Sequence, residues 1–342
     1  MTDKIEAEKQ YSYQQKVWIA GGIVALIVVL ILLLKATFNV WLLILAGSLI
    51  AVYFRGLSGL IQKKTKWKEG ACVAISVVGT LLLIVFLSWL IGAKVQSQIA
   101  ELSDTLPKTV EQAKEKLNQS SLGQKIVQKI SSPKAQQQAQ SIVQSFFKTS
   151  FGVLGDIYVV LFIGIFFTAS PKIYKEGVIR LIPPKGKPKA EKVLNDIGSS
   201  LKKWLKGKMF AMLVIFILTS IGLVILGMPM WLALALIAGI LNFIPNFGPL
   251  IALIPAALIG LSQGTSSAIW VAVLYIAVQV AESNFITPMV QQKLIRIPPA
   301  LIIIAQMLMA PLKGGWGLVL ATPLMVILIV LVKDLYFKTN KE

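Results

Sequence analysis

Trp231 to Leu261 reads WLALALIAGILNFIPNFGPLIALIPAALIGL, a stretch without a single charge. As one α-helix it would be about 46 Å long, well beyond the roughly 30 Å of a bilayer core. Pro245, Gly248, Pro249 and Pro255 interrupt it, and each half, at about 21 Å, is too short to cross comfortably. A re-entrant helical hairpin with its tip at Asn242 to Pro249 satisfies both limits. Pro299 to Val332 repeats the design, with the break at Pro311, Lys313, Gly314, Gly315 and Gly317.

The two stretches share a spacing. Pro229, Gly248 and Pro255 lie 19 and 7 positions apart, and Pro299, Gly317 and Pro323 lie 18 and 6 apart. Each set follows an apolar run of spanning character. A span plus a hairpin that returns to its own side makes one net crossing, so two such units in series have opposite orientation. The fold class predicted is therefore all-α and polytopic, with two broken re-entrant hairpins forming an inverted repeat of the kind that places a site where the breaks meet near the midplane.

The rest of the chain agrees. Hydrophobic residues make up 56% and charged residues 14% of the 342 residues, against about 25% charged in a soluble domain. Val17 to Leu34, Ala71 to Ala93, Phe151 to Ala169 and Met209 to Leu226 are apolar over spanning or near-spanning length, and Val40 to Phe54 and Ile269 to Ile286 span if their flanks are included. Trp18, Trp41, Trp67, Trp89 and Trp204 stand at or near run ends, where the indole suits the headgroup region. Four regions follow: membrane helices in 1–93, an amphipathic extracytoplasmic segment in 94–150, a span plus a basic segment in 151–208, and a transport core in 209–342 built of units 209–261 and 268–332.

The net charge of +19 is distributed between apolar runs and not along one face, which fits the positive-inside rule and not a nucleic-acid surface. Only Lys35 separates the first two runs, whereas Arg55, Lys63, Lys64, Lys66 and Lys68 follow the second, and eleven Lys or Arg stand against three acids from Lys172 to Lys208. Both basic intervals are expected in the cytoplasm, as are both termini, with Lys293, Arg296, Lys333 and Lys338 on the same side. The Gln-rich stretch Gln136 to Gln140 reads as a solvated helix face. Cys72, the sole cysteine, lies in an apolar run and reads as a packing residue.

Histidine is absent, which removes the commonest metal ligand and the usual general base. There is no P-loop and no HExxH, so no enzyme, metal or cofactor is expected. Of fifteen acidic residues, only Glu282 is placed well inside an apolar helix, in QVAESN from Gln279 to Asn284. An ionised carboxylate inside a membrane is costly unless paired, cavity-facing or protonated. Glu282 is therefore a candidate proton or cation carrier, or else pairs with a nearby cation such as Lys313. Gln279, Asn284, Asn242 and Asn246 add neutral ligands, and freed backbone groups at a broken helix can bind an ion or solute. Lys313 can steer an anionic group or snorkel to the surface. Asp156, at the start of a run, reads as a helix-terminal residue.

Three motifs in order resemble those of the autoinducer-2 exporter family of bacterial membrane proteins. Asn242 to Pro249 (NFIPNFGP) is similar to its IPxxGP signature, Gln279 to Pro288 (QVAESNFITP) to its QxxExNxIxP segment, and Gly314 to Leu324 (GGWGLVLATPL) to its closing Gly-rich stretch. The resemblance implies a plasma-membrane transporter, homo-oligomeric, with members linked to export of the quorum-sensing molecule autoinducer-2 and others to sodium or lithium exchange for protons. Many members show a His-Pro pair after the second motif; this chain has Pro298-Pro299.

The expected partners are the lipid bilayer and a small polar solute or monovalent cation, with no nucleic acid. The function read from the sequence is ion-coupled export of a small polar metabolite, with monovalent cation/proton antiport as an alternative. A non-transporting scaffold using Lys94 to Ser150 for contacts is the reading from another class.

Overall fold

The computed structural model describes residues 12–118, 155–286, 288 and 298–337. Gln136 to Gln140, Lys293, Arg296 and Lys338 lie outside them. The described residues form helices and connecting turns, with no strand. In chain order these are α1 (Tyr13–Thr65), α2 (Glu69–Asn118), α3 (Gly155–Ala169), α4 (Pro171–Arg180), α5 (Lys187–Ile225), α6 (Trp231–Leu241), α7 (Phe247–Gln263), α8 (Thr265–Ala281) and α9 (Pro299–Val332). Five helices are long and apolar enough to cross a membrane, or six if the α3–α4 pair, bent by 89°, counts as one.

The first two apolar runs were expected to be separate spans joined at Lys35. They are instead one unbroken helix, about 80 Å long. Between them stand Lys35, Ala36, Thr37, Phe38 and Asn39, with no Gly or Pro to stop the helix, and a lone Lys can snorkel. The extracytoplasmic loop at Lys35 does not form, and the step that placed the amino terminus inside goes with it. α1 ends at Lys66, which takes the left-handed conformation and donates its N–H to the Gln62 carbonyl at 2.9 Å. Burial begins in its second half, where Leu42, Leu43, Leu45, Ala46 and Leu49 enter a core with Val160 of α3. Gly47 and Gly164 allow that approach: a Cβ on either would run into Ile163 or Ile50.

The two basic intervals meet at one end of the bundle. Arg55 donates from Nε to the Thr168 carbonyl at 2.8 Å, at the carboxyl end of α3, and pairs with Glu69 at the start of α2. A Cβ on Gly56 would touch the Lys202 side chain of α5 at 3.4 Å.

α5 is the common wall. Its buried positions Trp204, Ala211, Ile215, Thr219 and Leu223 follow helical spacing. α6 runs back along it, with Gly239 facing Met212 and Phe216; a Cβ there would lie 2.9 Å from the Phe216 Cβ. The side chain of Gln98 on α2 accepts from the Ala233 N–H at 3.0 Å, capping the start of α6, and Lys94 stands over the Trp231 ring. α7 and α8 form a close pair at Gly260, where a Cβ would sit 2.9 Å from the Ala268 Cα. Cys72 is fully buried in α2.

Candidate functional site at the meeting of two hairpins

Both expected breaks occur. α6 ends at Leu241, α7 starts at Phe247, and the five residues between form a tight turn held by Phe243 N–H to the Ile240 carbonyl, Ile244 N–H to Leu241 and Gly248 N–H to Ile244. Asn246 takes a positive φ of 65°, a conformation Asn tolerates better than most residues. Gly248 has no room for a side chain, because a Cβ would overlap the Leu241 carbonyl. The arms therefore turn back at the tip and touch.

α9 is interrupted at Lys313 (φ −146°, ψ 23°) and Gly314 (φ 53°, ψ −130°). A Cβ on Gly317 would overlap the carbonyl of Met309. Eight residues of straight helix would hold these about 12 Å apart, so the chain reverses here too. Ala305 and Met309 of the first arm and Leu320 and Ala321 of the second are buried in the same core.

The tips lie by different neighbours. Phe243 of the first packs edge-on against Trp204 of α5, ring centroids 5.7 Å apart. Trp204 is thus buried and not an interfacial anchor, whereas Trp18, Trp41, Trp67 and Trp89 are exposed. Trp316, just past the second break, donates its indole N–H to Asp156 Oδ2 at 2.9 Å, near the start of α3. Asp156 thus holds a tip as well as standing at a helix start.

Gln306, fully buried in the first arm of α9, joins the two hairpins. Its Nε2 donates to the Pro245 carbonyl at 2.8 Å and its Oε1 accepts from Asn246 Nδ2 at 3.4 Å. Sequence reasoning missed this residue; the available signal was one amide within the apolar run Ala300 to Ala310.

Glu282 is buried, and its placement differs from the one expected. The α-helical pattern of α8 ends at Ala281, and Glu282 opens a π-helical turn through Ile286. Its Oε2 accepts from Gln279 Nε2 at 3.2 Å, and its Oε1 lies 3.8 Å from Nζ of Lys208. The paired cation is therefore Lys208, the last Lys before the apolar half of α5, and not Lys313. Lys208 lies one helical turn after Trp204, so the carboxylate and the first tip both face the same stretch of α5. Along α5 that stretch is the edge of the apolar half, not its middle, because eleven residues of α6 carry the chain about 16 Å back.

The remaining candidates divide. Asn242 Nδ2 and Gln279 Oε1 are buried without a hydrogen-bond partner, the state of a group available to a ligand. Asn284 is exposed and spends its Nδ2 on the Val280 carbonyl of its own helix, at 2.9 Å. Pro249 and Lys313 are half-buried, while Pro311, Gly314 and Gly315 are exposed. No three Asp, Glu or Cys side chains come together among the described residues.

The chain is 28% identical to the candidate transport protein YrrI of Bacillus subtilis over 44% of its own length and 43% of that protein's. It is 24% identical to YueF, a second candidate transport protein of that organism, over 70% of each chain. It is 23% identical to the candidate permease PerM of Escherichia coli over 49% of its length and 48% of PerM's. The chain thus matches YrrI and PerM over about half their length. Residues 23–337 match the model of the family described as AI-2E family transporter, and this multi-pass membrane protein belongs to that family.

Proposed function

We propose that the chain is a secondary transporter that exports a small polar metabolite of the autoinducer-2 type, with its pathway running past the two hairpin tips. The observation that carries this is the Gln306 bridge to Pro245 and Asn246. Broken helices with freed polar groups are tolerated at membrane depth only where they are packed against protein or line a cavity, and the bridge ties the first break to the helical first arm of the second hairpin. Entry of a solute requires the bridge to open, and the orphaned Asn242 amide offers a replacement partner. Support for inverted orientation comes from the neighbours: the first tip lies beside Trp204 near the basic end, the second beside Asp156 at the opposite end of α3 from Thr168 and Arg55. The family resemblance supports a homo-oligomer in the bacterial inner membrane, and the clustering of Lys and Arg supports the basic intervals in the cytoplasm.

The Lys208–Glu282 pair favours a second reading, exchange of sodium or lithium for protons. A cation or proton that takes the carboxylate from Lys208 changes the charge balance of a buried pair, which is a means of coupling. Flux of labelled autoinducer-2 and of sodium into proteoliposomes, with and without a pH gradient, separates the two readings. Glu282→Gln is expected to abolish the coupled flux, and normal flux of every solute in that variant ends the carrier role of Glu282.

A further inference from the structure

We propose that α4 lies in the plane of the membrane surface where α3 ends, with one face in the lipid and with flanking lysines that select anionic phospholipid headgroups. α3 belongs to the apolar run Phe151 to Ala169, which has near-spanning length in the sequence, and α4 leaves it at 89° across the single residue Ser170. A helix perpendicular to a span runs along the surface. None of its residues is buried by the rest of the protein.

The exposed residues are sorted by side. At about 100° per residue, Ile173, Gly177, Leu181, Tyr174 and Val178 fall within an arc of about 140°. Leu181 is 86% exposed and Ile173 68%, large for apolar side chains with no partner. Tyr174 fixes which way the arc looks: its ring packs on Phe167 of α3, centroids 4.4 Å apart, so the apolar arc is turned towards the side that the span enters. Lys175 holds a second face against α5 through Glu191 at 2.7 Å. Lys172, Glu176 and Arg180 share the third.

Such a helix, with an apolar arc and basic neighbours, sits at the boundary between headgroups and acyl chains. The charge of that boundary is legible as well. Lys185 and Lys187 follow α4 and make no ion pair among the described residues, while Lys175 and Arg180 have Glu191 and Glu176 nearby. Two uncompensated cations at a lipid surface match an anionic headgroup layer.

The full chain with Cys72→Ala, carrying single cysteines at Val178, Leu181, Lys172 or Glu176 labelled with a spin probe, reports depth in proteoliposomes. Labels at Val178 and Leu181 are expected in the acyl region and labels at Lys172 and Glu176 in water. Four wet labels overturn the proposal, and four deep ones overturn it too, in favour of a re-entrant α3–α4 pair. Short-chain phosphatidylglycerol and phosphatidylcholine, titrated against the Leu181 label in detergent, test the headgroup. Replacing Lys185 and Lys187 together by Gln should weaken the phosphatidylglycerol response about thirtyfold and leave phosphatidylcholine unchanged. Equal responses to both lipids in the unaltered chain overturn the anionic preference.

Discussion

Gln306→Leu isolates the contact between the hairpins. The replacement is close in size, sits beside Ala305 and Met309 in an apolar core, and leaves no new polar atom behind. Two bonds go. A side-chain bond inside a membrane protein is worth about 0.6 kcal/mol on average and at most about 1.7. The bond to the Pro245 carbonyl, at 2.8 Å, belongs in the upper part of that range, and the one from Asn246, at 3.4 Å, in the lower. The Pro245 carbonyl is not orphaned, since it also accepts from the Phe247 N–H at 2.7 Å, so no further penalty for an unmet acceptor applies. The sum is about 1–2 kcal/mol, or a roughly 5- to 30-fold shift towards a first tip detached from the second hairpin. Amide hydrogen exchange followed by mass spectrometry reads this without knowledge of the solute, because the N–H groups of Phe243, Ile244, Phe247 and Gly248 are all bonded within the first tip. Peptides over the tip should exchange about 5- to 30-fold faster, and those over α1 and α2 at the original rate. Unchanged exchange at the tip, or an increase spread evenly over the chain, refutes the idea that Gln306 holds the hairpins together.

Three further outcomes follow from the same contacts. Lys208→Met leaves Glu282 buried without its cation and should lower stability in detergent by about 3–5 kcal/mol if the carboxylate stays ionised; combining it with Glu282→Gln should recover most of the melting temperature, and a double variant worse than the single one contradicts the pairing. Gly248→Ala and Gly317→Ala each force a carbonyl to move and should cost about 1–3 kcal/mol or more, whereas Gly315→Ala, which has nothing within 4 Å of its Cβ position, should melt near the unaltered chain; equal melting of all three removes the close approach of the hairpin arms. Trp316→Phe deletes the indole bond to Asp156 and should speed exchange at the second tip by about fivefold for a loss near 1 kcal/mol, with the first tip unaffected, while an exchange pattern identical to that of the unaltered chain shows that Asp156 does not anchor the tip.

The breaks were legible because each has a local chemical cause. Pro245, Gly248 and Pro249, like Pro311, Gly314 and Gly317, are residue types that end helices or permit close approach, and apolar length showed that a reversal was needed. Pairing was less legible because it depends on side chains far apart in sequence. Glu282 was conspicuous as an acid in an apolar context, yet Lys208 looked like the end of an ordinary basic interval, and nothing local says that α5 would bring it within reach. Gln306 did not stand out because the conspicuous amides, Gln279, Asn284, Asn242 and Asn246, lie beside Glu282 or a break, whereas Gln306 stands within an arm with no acid, Pro or Gly next to it. The long α1 was unreadable for the opposite reason. Apolar runs were divided at Lys35 by composition, but a helix stops only where its backbone is given an alternative, and Ala36 to Asn39 offer none.

The placement of the first tip at the edge of the apolar half of α5 bears on how a carrier would work. α6 is short because Met230 starts it with a left-handed residue, only a few positions beyond the end of α5, and because the IPNFGP turn ends it at Leu241. Its length therefore brings Phe243 opposite Trp204, one turn from Lys208. The buried charge pair and the tip share one helix face without sharing a bond: the contacts described for Glu282 are with Gln279 and Lys208. Any influence of the charge state of Glu282 on the tip then has to pass through the position of α5 or of the Lys208 side chain. Neutralising Glu282 would free Lys208 to leave its buried position for the basic end of α5, a move that its flexible stem allows, and this would loosen the wall on which Phe243 rests. In that arrangement a single buried pair would serve either reading of the coupled ion, because what would reach the hairpin is the release of Lys208 and not the identity of the cation that caused it.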